Sequence, residues 1–315
     1  MRYDYVSFPA RKPLVWPNGK RLAVILTINF EYWDKVQDSE KPYYPGGPGI
    51  VGGNLPGNVY DNPNFTWREY GQRVGVWRML DVFDQENVPA SCTMNAKMAV
   101  ERPEVIRAAI DRGWEIVAHN YVQDELLTDY MFDEAAERDV IRRTLDIYAE
   151  SVGRKARGWL SSSLRSTLNT IDILAEEGLL FITDLLNDDQ PYLVETRSGK
   201  PMVSVSYTSE VNDFSFLRQG LTAETGLEMF KEGFDWLREE SRSSGRFMNI
   251  GLHPHVIGQP FRIRALRDFI RYAKQFDDVW FATREEIAAW YLDHHHEHID
   301  PRGQAAAAGR GSVSC

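Results

Sequence analysis

Gly251-Leu-His-Pro-His-Val-Ile-Gly-Gln-Pro-Phe-Arg262 follows the short apolar run Phe247-Met-Asn-Ile250 and leads into an amphipathic segment from Arg264 to Phe276. The order strand, loop, helix puts His253 and His255 at the carboxyl end of a buried strand. In proteins built from βα units, that end of the sheet is where ligands bind and chemistry is done. The reading of the whole chain then turns on which groups face those histidines.

The same grammar repeats on both sides. Arg21 to Ile28 is a near-continuous apolar run, as expected of a strand buried on both faces, and it ends in Asn29-Phe30-Glu31-Tyr32-Trp33. Asn29 and Glu31 share one side at period two. A helix is expected over Arg68–Glu86, a strand over Ala90–Met94 and a helix over Pro103–Arg112, closed by Gly113. Trp114–Ala118 is a short strand that runs straight into His119-Asn-Tyr-Val-Gln123. Asp133–Val152 reads as an amphipathic helix and Ala156–Leu160 as a strand. A serine-rich loop with Arg165 follows, then a helix over Asn169–Glu177 with Gly178 after it.

Phe181–Asp184 and Met202–Tyr207 are strands around a turn. Helices over Thr222–Ser241 and Ile263–Phe276 flank the strand Phe247–Leu252. Val279–Ala282 is the last strand, and Thr283-Arg-Glu-Glu286 resembles a capping box opening a terminal helix. Strands alternating with helices imply parallel pairing and right-handed crossovers. About seven such units point to an α/β fold closing into a barrel.

The chain has 315 residues, 43% hydrophobic and 26% charged, enough for one large core. We expect a single catalytic domain over 1–300, with residues 1–20 as an extended covering arm and 301–315 as a disordered tail. A formal net charge of −10 and a pI near 5.3 argue against a nucleic-acid partner. No apolar run reaches the length that spans a membrane, and the first residues lack a secretory pattern. A cytoplasmic protein is therefore expected. Cys92 and Cys315 imply no disulfide framework or zinc knuckle. The Gly- and Pro-rich stretch 41–66 lacks the Gly-Lys-Ser/Thr of a phosphate loop; a loop this long is usually functional.

Several strand ends carry polar residues that the apolar runs do not explain: Glu31, His119, Arg165 and His253, with Asn212-Asp213 after Tyr207. One such residue is more often a hydrogen-bonded structural group or a helix cap. Several at corresponding ends favour a shared cleft. They could hold a metal or perform general acid–base chemistry on a carbonyl without one, and Arg165 could pair with a carboxylate. His255 reads as a neighbour rather than a participant, and His294-His-His-Glu-His298 as an exposed, non-catalytic tract.

The chain also resembles the NodB-homology polysaccharide deacetylase family (carbohydrate esterase family 4), in the branch that includes PuuE-type, metal-independent allantoinases. The matching residues are Leu26-Thr-Ile-Asn-Phe-Glu-Tyr32, Glu69-Tyr-Gly-Gln-Arg-Val-Gly-Val-Trp77 and Gly113-Trp-Glu-Ile-Val-Ala-His119. Gly158-Trp159 with Arg165 and Asn169, then Glu176-Glu-Gly178, follow. Asn212-Asp-Phe-Ser-Phe216 and Gly251-Leu-His253 with Gly258, Pro260 and Arg262 complete an ordered set across residues 8–292.

The resemblance implies a deformed (β/α) barrel of about seven strands, a hydrolase of C–N amide-type bonds and a homo-oligomer, tetramer or dimer. Metal-binding deacetylases of this family carry an Asp-Asp pair after the first strand and a His-x-x-x-His motif. Here Asn29 and Glu31 stand at the first, and Gln123 replaces the second histidine after His119. An amide oxygen is a weak zinc ligand, so no cofactor is expected, although zinc on Glu31, His119 and Gln123 is the alternative. Ser161-Ser-Ser163 and Pro254-His-Val-Ile257 depart from the allantoinase-like pattern, which opens the substrate to related ureides, hydantoins and imides.

The expected function is hydrolysis of a small cyclic amide, ureide or imide. Glu31 or His253 would activate water, and His119 would polarise the carbonyl or protonate the leaving nitrogen. Arg165, Asn212, Asp213, Asn29 and Gln123 would hold the substrate. A metal-dependent N-acetyl-sugar deacetylase and a non-catalytic ligand-binding protein are the rivals.

Overall fold

The computed structural model describes residues 2–34, 49–53, 55 and 59–298. Its strands are β1 Leu22–Phe30, β2 Ser91–Met94, β3 Glu115–Ala118, β4 Gly158–Trp159, β5 Phe181–Ile182, β6 Tyr192–Val194, β7 Met202–Ser204, β8 Arg246–Leu252 and β9 Val279–Phe281. They form one sheet in the order β6-β7-β5-β4-β3-β2-β1-β8, with β9 against the first residues of β1. All pairings are parallel except that of β6 with β7. Every residue of β1 is buried, as its apolar run requires, because neighbouring strands cover its edges and helices its outer face.

The chain leaving β7 returns to the free edge of β8. Asn212 bridges Gly251, whose N–H donates to the Val211 carbonyl at 3.1 Å while its carbonyl accepts from Asp213 N–H at 2.9 Å. This contact curls the sheet into the deformed barrel expected from the sequence. The nine-stranded sheet exceeds the expected seven or so. The short antiparallel β6 escaped detection because three residues carry no measurable period.

The amino-terminal end of the barrel is plugged by buried polar residues. Arg284 Nη1 donates to Thr27 Oγ1 at 2.7 Å and Nη2 to Asn249 Oδ1 at 2.5 Å, while its backbone N–H donates to Glu115 at 3.0 Å. The covering arm closes over the same end: Trp16, 1% exposed, donates its indole N–H to the Arg246 carbonyl at 2.8 Å. The carboxyl ends of the strands are thereby left for a site.

The helix expected over Arg68–Glu86 begins earlier and is interrupted. Helix Asn62–Tyr70 is capped by Asp61, which accepts from Asn64 N–H, and passes through a π-turn, Gly71–Gly75, into helix Val76–Glu86. Such turns recur at functional sites, and this one has a steric cause. A Cβ on Gly71 would lie 2.6 Å from the His255 nitrogen, and one on Gly75 would lie 2.0 Å from the Pro254 carbonyl oxygen. The two glycines let the helix backbone rest on the His253 loop, and Gln72 donates to the Glu31 carbonyl at 3.0 Å. Helix Ala96–Glu101, between β2 and the helix Pro103–Asp111, was likewise not foreseen.

Helix Glu134–Val152 has Asp133 as its cap and ends at Gly153 with φ +77°. Helix Arg284–His294 opens on the Thr283–Glu286 capping box. One expectation fails just beyond it: His298 is buried, with Nδ1 3.1 Å from the Tyr291 hydroxyl and Nε2 3.1 Å from Gln190 Oε1. Burial pushes its pKa down to about 4, so it is a neutral packing residue rather than part of an exposed tract. Residues 301–315 and most of the 45–58 loop lie outside the described residues. Among the described residues, no helix is long and apolar enough to cross a membrane.

Candidate active site

At the carboxyl end of the strands lies a cavity of about 120 Å³, bordered by Asn29 and Glu31 from the end of β1, His119 and Gln123 after β3, and Leu160, Ser161, Ser163 and Leu164 after β4. Tyr207, Ser209, Asn212, Phe214 and Arg218 from the chain after β7, together with His253 after β8, complete it. Six of the eight site residues expected from sequence therefore meet at one place.

Glu31 is the centre. It is 6% exposed, and its Oε1 stands 3.9 Å from His119 Nε2 and 3.7 Å from His253 Nε2. These separations are too long for direct hydrogen bonds and suit a bridging water. Glu31 Oε2 and His119 Nε2 are buried with no hydrogen-bond partner among the described residues. Buried polar atoms left this way usually await water or ligand.

The two histidines are held differently. His119 Nδ1 is 2.6 Å from the Leu160 carbonyl. That oxygen only accepts, so Nδ1 carries a hydrogen and Nε2 is the nitrogen turned to the cavity. His253 Nδ1 is 2.7 Å from Asp213 Oδ1, while Asp213 Oδ2 accepts from the backbone N–H of His253 at 2.6 Å and of Ile257 at 3.1 Å. Phe214 stacks on the His253 ring with centroids 3.9 Å apart.

Burial alone would favour neutral His253, but the Asp213 and Glu31 charges together outweigh it and raise its pKa above the ordinary histidine value. Burial lifts Asp213 above the usual aspartate value, opposed by the charge on His253 and the N–H donors around it. His255 goes the other way: burial, then the charges of His253 and Arg68, drive its pKa well down. It lies between Trp33 and Trp67, with ring centroids at 5.5 and 4.5 Å, and is not among the residues lining the cavity.

Two expected substrate contacts are placed elsewhere. Asp213 is fully buried behind His253, with its oxygens turned to the imidazole and the loop backbone, so it orients the histidine rather than touching a ligand. Arg165 is exposed and does not line the cavity. Ser163 and Leu164, both left-handed at φ 55° and 60°, turn the chain so that they, not Arg165, face inward. The cation at the cavity is Arg218. Sequence reasoning missed Arg218, Phe214 and Tyr207. Tyr207 follows β7 and looks like core; its place at the carboxyl end of the strands, with Asn29 and His253, was the available signal.

The donor set does not fit zinc, the alternative on Glu31, His119 and Gln123. Catalytic zinc takes three strong protein ligands. Glu31 and His119 offer two, and the third member of that set is the weak amide of Gln123. Among the described residues, no group of three or more His, Cys, Asp or Glu side chains is arranged to hold a metal ion.

The family model described as polysaccharide deacetylase matches residues 68–182. A probable polysaccharide deacetylase of known structure from Pseudomonas aeruginosa PAO1 is 34% identical, with 89% of this chain and 94% of that one covered and a TM-score of 0.77. The crystal structure of PuuE allantoinase is 32% identical, covering 89% and 93% of the two chains, with a TM-score of 0.78. A putative polysaccharide deacetylase of Schizosaccharomyces pombe is 28% identical over 307 residues, 89% of this chain and 93% of its own.

Proposed function

The chain belongs to the polysaccharide deacetylase family, and on that footing we propose that it is a C–N hydrolase that opens a small cyclic amide, ureide or imide. The observation that carries this reading is the buried Glu31 carboxylate between the Nε2 atoms of His119 and His253, with His253 backed by Asp213. A water between Glu31 and His119 Nε2 can hydrogen-bond to both. As it attacks the ring carbonyl, Glu31 takes its proton. His253, held as imidazolium by the two carboxylates, donates its Nε2 proton to the ring nitrogen as the C–N bond breaks. The products are a carboxylic acid and the freed N–H group. The proton on Glu31 returns to His253 through the next water, which restores the site. Gln123, Asn212 and the guanidinium of Arg218 hold the polar edges of the ring, while the amide of Asn29 is taken up by Tyr207, Leu252 and Thr93.

A cavity of about 150 Å³ holds one benzene molecule, so 120 Å³ beside Glu31 suits a single five- or six-membered ring. The names of two of the relatives favour a second reading, removal of an acetyl group from an amino sugar. One panel separates the two: succinimide, hydantoin, allantoin and dihydrouracil against N-acetylated chito-oligomers, followed by NMR with purified protein. Opening of at least one ring with no acetate released from the sugars is the expected result. Acetate release without ring opening would overturn the proposal.

A further inference from the structure

Tyr207 has a role that the acid–base pair leaves open. Its phenol oxygen lies 3.0 Å from Asn29 Nδ2 and 2.9 Å from Asn212 Nδ2. Neither amide can be turned round. Asn29 Oδ1 accepts from the Thr93 hydroxyl at 2.8 Å, and its Nδ2 also donates to the Leu252 carbonyl at 3.2 Å. Asn212 Oδ1 accepts from Phe214 N–H at 2.9 Å. With both amides donating, the phenol oxygen accepts twice and its own proton must go elsewhere.

Among the described residues no group accepts that proton, and Tyr207 borders the same cavity as Glu31 and His253. The fold makes room for this arrangement, since a Cβ on Gly251 would come within 2.2 Å of the phenol oxygen. Burial and the Glu31 charge keep the phenol protonated far above neutral pH.

We infer that Tyr207 is the oxyanion donor of the reaction: its O–H, aimed by Asn29 and Asn212, hydrogen-bonds to the scissile carbonyl oxygen. The bond strengthens as negative charge grows on that oxygen during water attack, and the phenol keeps its proton throughout. A donor fixed in advance at a dry site stabilises the transition state more than the bound substrate. The inference rests on the ring-hydrolase reading above and adds a catalytic residue to it.

The test compares wild type with Tyr207→Phe on whichever of succinimide, hydantoin or allantoin the wild type opens. The expected result is a kcat lower by about 10²–10³-fold with KM changed less than about threefold. Ring binding to Glu31→Gln and to Glu31→Gln/Tyr207→Phe, measured by calorimetry, should be alike, which shows that the pocket is intact. A kcat within about threefold of wild type, or binding lost in parallel with kcat, would overturn this inference alone. Failure of the wild type to open any of the rings would overturn the reading beneath it as well.

Discussion

Glu31→Gln should lower the rate of ring opening by about 10²–10⁴-fold, the usual worth of a positioned general base, with little change in fold. Gln keeps the size of Glu and can still hydrogen-bond a water, but its amide oxygen cannot take the proton. The effect therefore separates proton removal from mere positioning. A sharper form uses Glu31→Ala. Glu31 lies between two histidine nitrogens at 3.7 and 3.9 Å, so removing it leaves a hole of carboxylate size open to the cavity. Added formate should restore part of the lost rate and chloride at equal ionic strength should not. Loss without rescue, together with a large rise in KM, would mean that Glu31 holds substrate rather than activating water.

The second large effect belongs to a residue that cannot touch substrate. Asp213→Asn should also cost about 10²–10⁴-fold, as removal of the carboxylate behind a catalytic imidazole does elsewhere. Asp213 fixes the His253 tautomer at Nδ1, and its charge is the largest influence raising the His253 pKa. The sign follows directly. Catalysis needs His253 protonated, so the rate is full below its raised pKa and falls as pH rises through it. Without the Asp213 charge, burial dominates, the pKa drops, and the alkaline fall of kcat/KM should move to lower pH. A purely structural role for Asp213 would reduce the amount of folded enzyme and leave the position of that fall unchanged.

Much of the architecture was readable from sequence because it rests on local signals. The apolar run of β1, the Thr283 cap and the Gly178 helix end all act over a few residues. The π-turn at Gly71–Gly75 was not readable, because its cause is the backbone of Pro254 and His255, distant in sequence. The same division runs through the site. Glu31, His119 and His253 follow apolar strands and stand out as polar residues without a local purpose. Whether an acidic residue there faces ligand or lies behind a histidine depends on a three-dimensional direction, and Asp213 was misjudged on that point. Arg165 failed for a different reason: two consecutive left-handed residues redirect the loop, and neither serine nor leucine announces that conformation. Tyr207 was hidden because an aromatic just after an apolar strand is normally core.

On the proposed reading, amino-acid side chains alone carry out the hydrolysis. The most direct test is the initial rate of ring opening by chelator-stripped protein, with and without added zinc. The same kcat is expected in both samples. Activity lost on stripping and restored by one equivalent of zinc would contradict that reading, and would return Glu31, His119 and Gln123 to the role of metal ligands.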